Sequence, residues 1–233
     1  MQNSSQTIEL LAVLGRGLKE QNGKWFLTRD LERGNEQGMY CADNTPIDDT
    51  DPHCLIGGGE LNLFAGHKLC RQYAETLKLM VCAYGARAPY LISADGPSES
   101  EIMTRRLFEL NPLGPLPEVA IWPHDRLADG RSNTDRELFN IFELAVERGY
   151  KSVGIVTISI HYARSLLMAQ RHLQNQKLSH LILQFFVSED VLLRYDKKWE
   201  ERVRKMNGSK AFIRSLFLEQ RGINALLAGT YGK

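Results

Sequence analysis

No apolar run in this 233-residue chain approaches the ~20 residues that a membrane helix needs. The first residues, MQNSSQTIELL, hold no basic segment followed by a long apolar core, so they do not read as a signal peptide. The sequence therefore reads as cytoplasmic, with no membrane partner. Charge of one sign is lacking too: 29 Lys plus Arg against 28 Asp plus Glu leave a net charge of +1. That balance supplies no general field for nucleic acid, which is not expected as a partner. Cysteine is limited to Cys41, Cys54, Cys70 and Cys82, with no C-x-x-C pair and no zinc-like spacing, so all four read as reduced structural thiols. Repeats, low-complexity tracts and linkers are absent, and 233 residues suffice for one core without staples.

What is present is a recurring layout in which a β-rich apolar run ends in small or polar residues and a helix begins. It occurs at Leu11–Gly17, Cys54–Asn62, Tyr90–Glu101 and Val153–Arg164. Open parallel sheets bind ligands at the carboxyl ends of their strands, where helix N-termini add free N–H groups and partial positive charge. Strands are predicted at Ile8–Leu14, His53–Ile56, Pro89–Ser93, Glu118–Trp122, Ser152–Ile158 and Leu178–Val187. Between them lie a long helix from Leu61 towards Gly85, helices opened by the Ser98/Glu101 and Thr134/Glu137 capping boxes, and one from about His161 to Gln174. Two helical patterns finish the chain over residues 190–229.

This alternation predicts a single α/β domain over 1–233, Rossmann-like and doubly wound, with a mainly parallel sheet. Residues 18–52, glycine-punctuated and with at most a short strand at Lys24–Leu27, read as a loop or insertion placed to cover the ligand edge.

Gly15, Arg16 and Gly17, and then Gly57, Gly58 and Gly59, each follow a strand, where lack of a Cβ lets backbone approach a ligand. Neither run completes G-x-G-x-x-G, because Glu20 and Asn62 fill the last position, and no Walker A or G-x-S-x-G motif is present. The glycines are therefore either ligand cradles or tight turns, with Glu60 as a ribose acceptor in the first case. Ser98 and Glu101 are explained by capping, which leaves Glu99 in the first turn facing the ligand edge. Ser132, Asn133 and Thr134 beside Arg131 supply ordinary caps or a grip on phosphate.

His161 is the sharpest candidate. It follows Thr157 at a strand end, where a helix N-terminus disfavours imidazolium and suits a neutral base, with Arg164 one turn on to hold an anion. Asp48, Asp49 and Asp51 invite a magnesium reading, but acidic loop clusters are usually solvated, and no metal ligand is assigned.

Four motifs in order resemble the ElyC/SanA/YdcF family of Rossmann-like domains. They are Val13-Leu14-Gly15-Arg16-Gly17; Ser93-Ala94-Asp95-Gly96 with Ser98-Glu99-Ser100-Glu101-Ile102-Met103; Arg131-Ser132-Asn133-Thr134-Asp135-Arg136-Glu137; and Val156-Thr157-Ile158-Ser159-Ile160-His161-Tyr162-Ala163-Arg164. They span roughly Leu11 to Arg171. Two positions depart from the family pattern: Ala94-Asp95-Gly96 stands where it has Gly-Gly, and Glu-Asn is shifted at Arg136-Glu137. The resemblance implies an α/β enzyme with Glu99, Ser132, Asn133, Thr134, His161 and Arg164 at its site. One branch of that family is associated with S-adenosylmethionine, so the cofactor is left open between S-adenosylmethionine, a divalent metal and none.

The function expected is hydrolysis or transfer at a phosphoester or pyrophosphate of a small anionic, nucleotide-like metabolite. His161 and Glu99 are the expected catalytic residues. Gly15, Arg16, Gly17, Gly58, Gly59, Glu60, Asn62, Ser93, Ser132, Asn133, Thr134, Thr157 and Arg164 are expected to bind substrate. The alternative is a non-catalytic S-adenosylmethionine- or nucleotide-binding protein.

Overall fold

Leu10-Leu11-Ala12-Val13 is apolar at every position, so a strand made from it must be covered on both faces. In a computed structural model describing residues 7–34, 47–85, 97–110, 116–122 and 133–231, this run is β1 (Leu10–Val13), wholly buried at the centre of a five-stranded sheet. It pairs in parallel with β6 (Leu79–Cys82) on one side and β8 (Ser152–Thr157) on the other. Beyond β6 lies β7 (Glu118–Ala120), and beyond β8 lies β9 (Ile182–Val187), both parallel to their neighbours. The chain thus runs outward from β1 through β6 to β7, returns to β8, and runs outward again to β9. The reversal falls between β1 and β8, and in sheets of this kind the crevice beyond that point is the ligand site. The expected doubly wound parallel fold is present.

Side-chain alternation divides the core. Leu11, Val13, Met80, Cys82 and Val156 face one layer, with α1 (Gly59–Gln72), α2 (Glu99–Leu110), α5 (Ser188–Tyr195) and α6 (Trp199–Asn207) contributing to it. Leu10, Ala12, Leu79, Val81, Val153 and Ile155 face the other, covered by α3 (Thr134–Glu147) and α4 (Ser159–Leu173). The last helix, α7 (Lys210–Leu227), packs chiefly on α4 and on the strand β5 (Cys54–Ile56). Helix α1 comes close to the sheet because Gly66 faces Val13, where a Cβ would collide with the valine side chain.

Several elements differ from the sequence expectation. The helix expected to run to Gly85 ends at Gln72, and Leu79–Cys82 is a central strand instead. Its four residues are all buried, and a short apolar run covered on both faces carries no period that separates strand from helix. Cys82 therefore sits in a strand; Cys54, Cys70 and Cys82 are buried free thiols, as expected.

The strand expected at His53–Ile56 exists as β5 but stays outside the main sheet, antiparallel to β4 (Leu31–Arg33). Within 18–52, the described part is built rather than looped: β2 (Leu18–Gln21) and β3 (Lys24–Leu27) form a hairpin whose Leu18 and Leu27 join the core. Three helices, not two, follow β9. The strand expected at Pro89–Ser93 lies outside the described residues. Among the described residues, no helix is long and apolar enough to cross a membrane.

Ser98 and Glu101 cap α2 reciprocally, Ser98 N–H donating to Glu101 at 2.6 Å and Glu101 N–H to Ser98 Oγ at 3.1 Å. Thr134 and Glu137 do not form the matching box. Asn133 is the N-cap, accepting from Arg136 N–H at 2.9 Å, so the Thr134 hydroxyl and the Glu137 carboxylate are turned to other partners.

Candidate functional site

The turn after β1 presents its backbone N–H groups to carboxylates. Arg16 N–H and Gly17 N–H both donate to Glu99 Oε1, at 2.6 and 2.7 Å, and Gly15 N–H donates to Glu137 Oε1 at 3.1 Å. Glu99 lies so close to Gly15 that a Cβ there would stand 2.7 Å from Oε2. Burial pushes the Glu99 carboxyl above its usual range despite those two amides and the charge of Arg16. Glu137 is pushed up to about 8, by burial first and then by the neighbouring charge of Glu99. The amides expected to cradle a substrate anion are thus engaged by the protein's own acids, because a buried N–H without an acceptor is costly.

The second glycine turn is likewise internal. Gly58 is left-handed at φ 92°, and Gly58 N–H donates to Arg29 O at 2.6 Å while Gly59 N–H donates to Thr28 Oγ1 at 3.1 Å. Glu60 pairs with Arg202 at 3.0 Å and with Arg29 at 3.5 Å. Asn62 is fully buried; it donates to Leu14 O at 2.9 Å and accepts from Ser188 Oγ at 2.7 Å, joining α1, β1 and α5. Gly58, Gly59 and Asn62 are thus taken up by contacts within the fold, while Glu60, held by two arginines, borders the cavity described below.

His161, Arg164, Thr134 and Arg16 converge, and a residue that the sequence did not single out completes them. Glu219, from α7, places Oε1 and Oε2 each 3.0 Å from His161 Nδ1. Arg164 Nε lies 2.8 Å from Glu219 Oε2, its Nη2 donates to Oε1 at 3.2 Å, and Arg16 Nη1 donates to Oε1 at 3.5 Å. Arg16 is anchored by Nε to Gly57 O at 3.0 Å and Nη2 to Ile56 O at 3.3 Å. On the far side of the ring, His161 Nε2 is 3.0 Å from Thr134 Oγ1.

The charges follow from this geometry. Burial works to raise the Glu219 pKa, but the contact with His161 and the charges of Arg164 and Arg16 carry it down to about 2, so Glu219 is ionised. Burial, with Arg164 and Arg16 nearby, outweighs Glu219 and carries His161 down to about 4, so the imidazole is neutral at pH 7. An anionic Glu219 only accepts, so Nδ1 carries the proton and donates to it; Nε2 is then the free lone pair and accepts from the Thr134 hydroxyl. Arg164 Nη2, also 3.2 Å from Nδ1, can only donate, and its bond is the one to Glu219. Two guanidiniums, those of Arg16 and Arg164, thus face the one Glu219 carboxylate.

No family model, curated protein or solved structure matches this chain.

The remaining expected residues divide. Thr157 ends β8 beside this cluster, its hydroxyl fully buried with no hydrogen-bond partner among the described residues. At the start of α4 the N–H of Ser159 donates to Glu189 Oε2 at 3.0 Å, so that helix end too is closed by a carboxylate. Ser93 and Ser132 lie outside the described residues. Glu99 does not orient His161; Glu219 does. Glu219 was detectable in principle: with Ala211 and Ser215 it forms the buried stripe of α7 at every fourth position, where a carboxylate needs a partner.

Among the described residues no group of three or more His, Cys, Asp or Glu side chains is placed to hold a metal. A separate cavity of about 1000 Å³ opens between the β2–β3 hairpin, α1 and α2, lined by Trp25, Phe26, Phe64, Arg105 and Glu109 among others, and it includes no member of the His161 cluster.

Proposed function

We propose that this chain is an enzyme that hydrolyses or transfers a phosphoester or pyrophosphate group of a small anionic, nucleotide-like metabolite at the carboxyl edge of the sheet. The observation that carries it is His161, its Nδ1 held 3.0 Å from both carboxylate oxygens of Glu219, at the point where the strand order reverses. An imidazole with Nδ1–H fixed on a carboxylate and Nε2 unprotonated is ready to take a proton, and burial keeps it in that form at neutral pH. Arg16 and Arg164 place two guanidiniums beside this imidazole, the residue type suited to an anionic substrate. The ordered motifs that resemble the ElyC/SanA/YdcF family point to the same His161 and Arg164.

The test is release of nitrophenol from p-nitrophenyl phosphate and of phosphate from nucleoside diphosphates, comparing the natural chain with His161→Gln. Removal of a proton-transfer group lowers turnover by about 10²–10⁴. Undiminished turnover in His161→Gln overturns the assignment.

The second reading, a non-catalytic nucleotide or S-adenosylmethionine binder, has one observation in its favour. The cavity beside the hairpin offers the aromatic faces of Trp25, Phe26 and Phe64, to which a purine ring could stack. Its expected ribose acceptor, Glu60, is held by Arg202 and Arg29 at that cavity's edge. Calorimetry with S-adenosylmethionine separates the readings: binding that is indifferent to His161→Gln and unaccompanied by turnover favours this one.

A further inference from the structure

We propose that the Thr134 hydroxyl is the nucleophile of this site and forms a transient phosphothreonine; the inference rests on the phosphoester reading above and adds the identity of the attacking atom. His161 is 1% exposed and Glu219 8%, so neither the base nor its carboxylate opens to solvent. The one polar atom that meets Nε2 among the described residues is Thr134 Oγ1, at 3.0 Å, and Thr134 is itself partly exposed. The proton that His161 is placed to accept is therefore the threonine's. Carboxylate, imidazole and hydroxyl stand in the order Glu219–His161–Thr134, supplied by α7, α4 and α3, each contact 3.0 Å long. That order of acid, base and hydroxyl activates an alcohol whatever fold carries it.

The position of Thr134 supplies the second half of the requirement. It is the first residue of α3, and Asn133 takes up only the N–H of Arg136. The N–H groups of Thr134 and Asp135 have no acceptor among the described residues, so they stand at the positive end of a fourteen-residue helix beside the hydroxyl. Charge that develops on non-bridging phosphoryl oxygens during attack meets these donors. The Asp135 side chain is turned to His172, whose Nε2 lies 3.0 Å from its Oδ1 and from its backbone O.

The chemistry balances without a further reagent. Thr134 Oγ attacks phosphorus as its proton passes to His161 Nε2, and the imidazolium is paired with Glu219. The bond from phosphorus to the leaving oxygen breaks with its electron pair on that oxygen, which takes the proton back from Nε2. Water then attacks the phosphothreonine, gives a proton to Nε2, and the Oγ–P bond breaks with the proton returning to Oγ. The sum is ester plus water to phosphate plus alcohol.

The experiment uses p-nitrophenyl phosphate as the probe, with acid quench and peptide mass spectrometry, on the natural chain, Thr134→Val, Thr134→Ser and His161→Gln. The expected result is a phosphate on the peptide containing Thr134. Thr134→Val, which keeps the shape and removes the hydroxyl, is expected to lose about 10³-fold or more in turnover and all of the adduct. Thr134→Ser restores both. A melting curve for each variant separates loss of the hydroxyl from loss of the fold, and the Ser variant carries the decision if Val does not fold. Turnover in Thr134→Val within about threefold of natural, with His161→Gln inactive, means that water is the nucleophile; this inference then fails while the phosphoester reading stands. Turnover unchanged in His161→Gln fails that reading instead. Absence of any adduct from the natural chain also overturns Thr134 as nucleophile.

Discussion

Both carboxylate oxygens of Glu219 lie 3.0 Å from Nδ1 of His161, across 58 positions of sequence and between two helices, α4 and α7. The pair is the joint between the sheet edge and the C-terminal helix. Arg164 of α4 and Arg16 of the β1 turn close on the same carboxylate, so one side chain ties three parts of the chain together.

Glu219→Gln is expected to damage both stability and catalysis. It takes from Arg164 the mostly buried carboxylate it pairs with at 2.8 Å, and breaking one partner of such a buried pair costs about 3–5 kcal/mol. A thermal melt checks that loss. Glu219 positions rather than reacts, so its second readout is the pH profile of turnover. Without the carboxylate the imidazolium that forms during reaction is less stabilised, and the acid limb of the profile moves. A merely structural Glu219 lowers stability but leaves that limb where it was.

Acid is expected to unfold the protein partly through this cluster. His161 is held at about 4 against an ordinary 6.5, so between those values the unfolded chain binds the extra proton. Glu219, held at about 2 against 4.5, acts in the same direction at lower pH. Where the unfolded state binds more protons, stability rises with pH, so it falls as pH drops from about 6.5 through 4. Urea midpoints measured at a series of pH values check this, and His161→Gln flattens the upper part of the slope. An unchanged slope in that variant removes His161 from the account.

Glu137 has the opposite sign. Its folded pKa stands at about 8 against 4.5 when unfolded, so the folded state holds a proton that the unfolded one lacks. Its contribution is complete below about 4.5 and is lost as pH rises through 8. Glu137→Gln keeps an oxygen for the Gly15 N–H and cannot ionise. The variant is expected to unfold at higher denaturant than the natural chain at pH 9, with the difference shrinking at pH 5. Equal midpoints at pH 9 contradict the raised value.

Gly58→Ala tests the turn that starts α1. Gly58 has φ 92°, and a Cβ there would stand 2.7 Å from Ile158 Cδ1. Gly23, at φ 74°, has nothing within 4 Å of the same atom. Gly23→Ala therefore reports backbone strain alone, at about 1 kcal/mol, while Gly58→Ala adds a steric collision and is expected to cost about 1–3 kcal/mol more. Denaturation of the two variants side by side decides it; equal losses mean that Ile158 moves aside freely.

The α/β class was legible in the sequence, as were strands expected at Ile8–Leu14 and Ser152–Ile158 and observed at Leu10–Val13 and Ser152–Thr157, and so were His161, Arg164 and Thr134 as polar residues at helix starts. These follow from local properties: apolar runs too continuous for a half-exposed strand, and polar residues where a strand gives way to a helix. Local pattern failed at Leu79–Cys82, where burial on both faces erased the period that distinguishes strand from helix.

What the polar groups touch was not legible in any segment and follows from the packing of the whole chain. Gly15 and Gly17 look like an anion cradle until Glu99 and Glu137 arrive from α2 and α3 to take their N–H groups. Glu219 is one more acid in a terminal helix until packing of α7 on α4 buries it against His161. A hydrogen bond between distant segments is set by how helices pack, which depends on the whole core at once, and no window of sequence contains it.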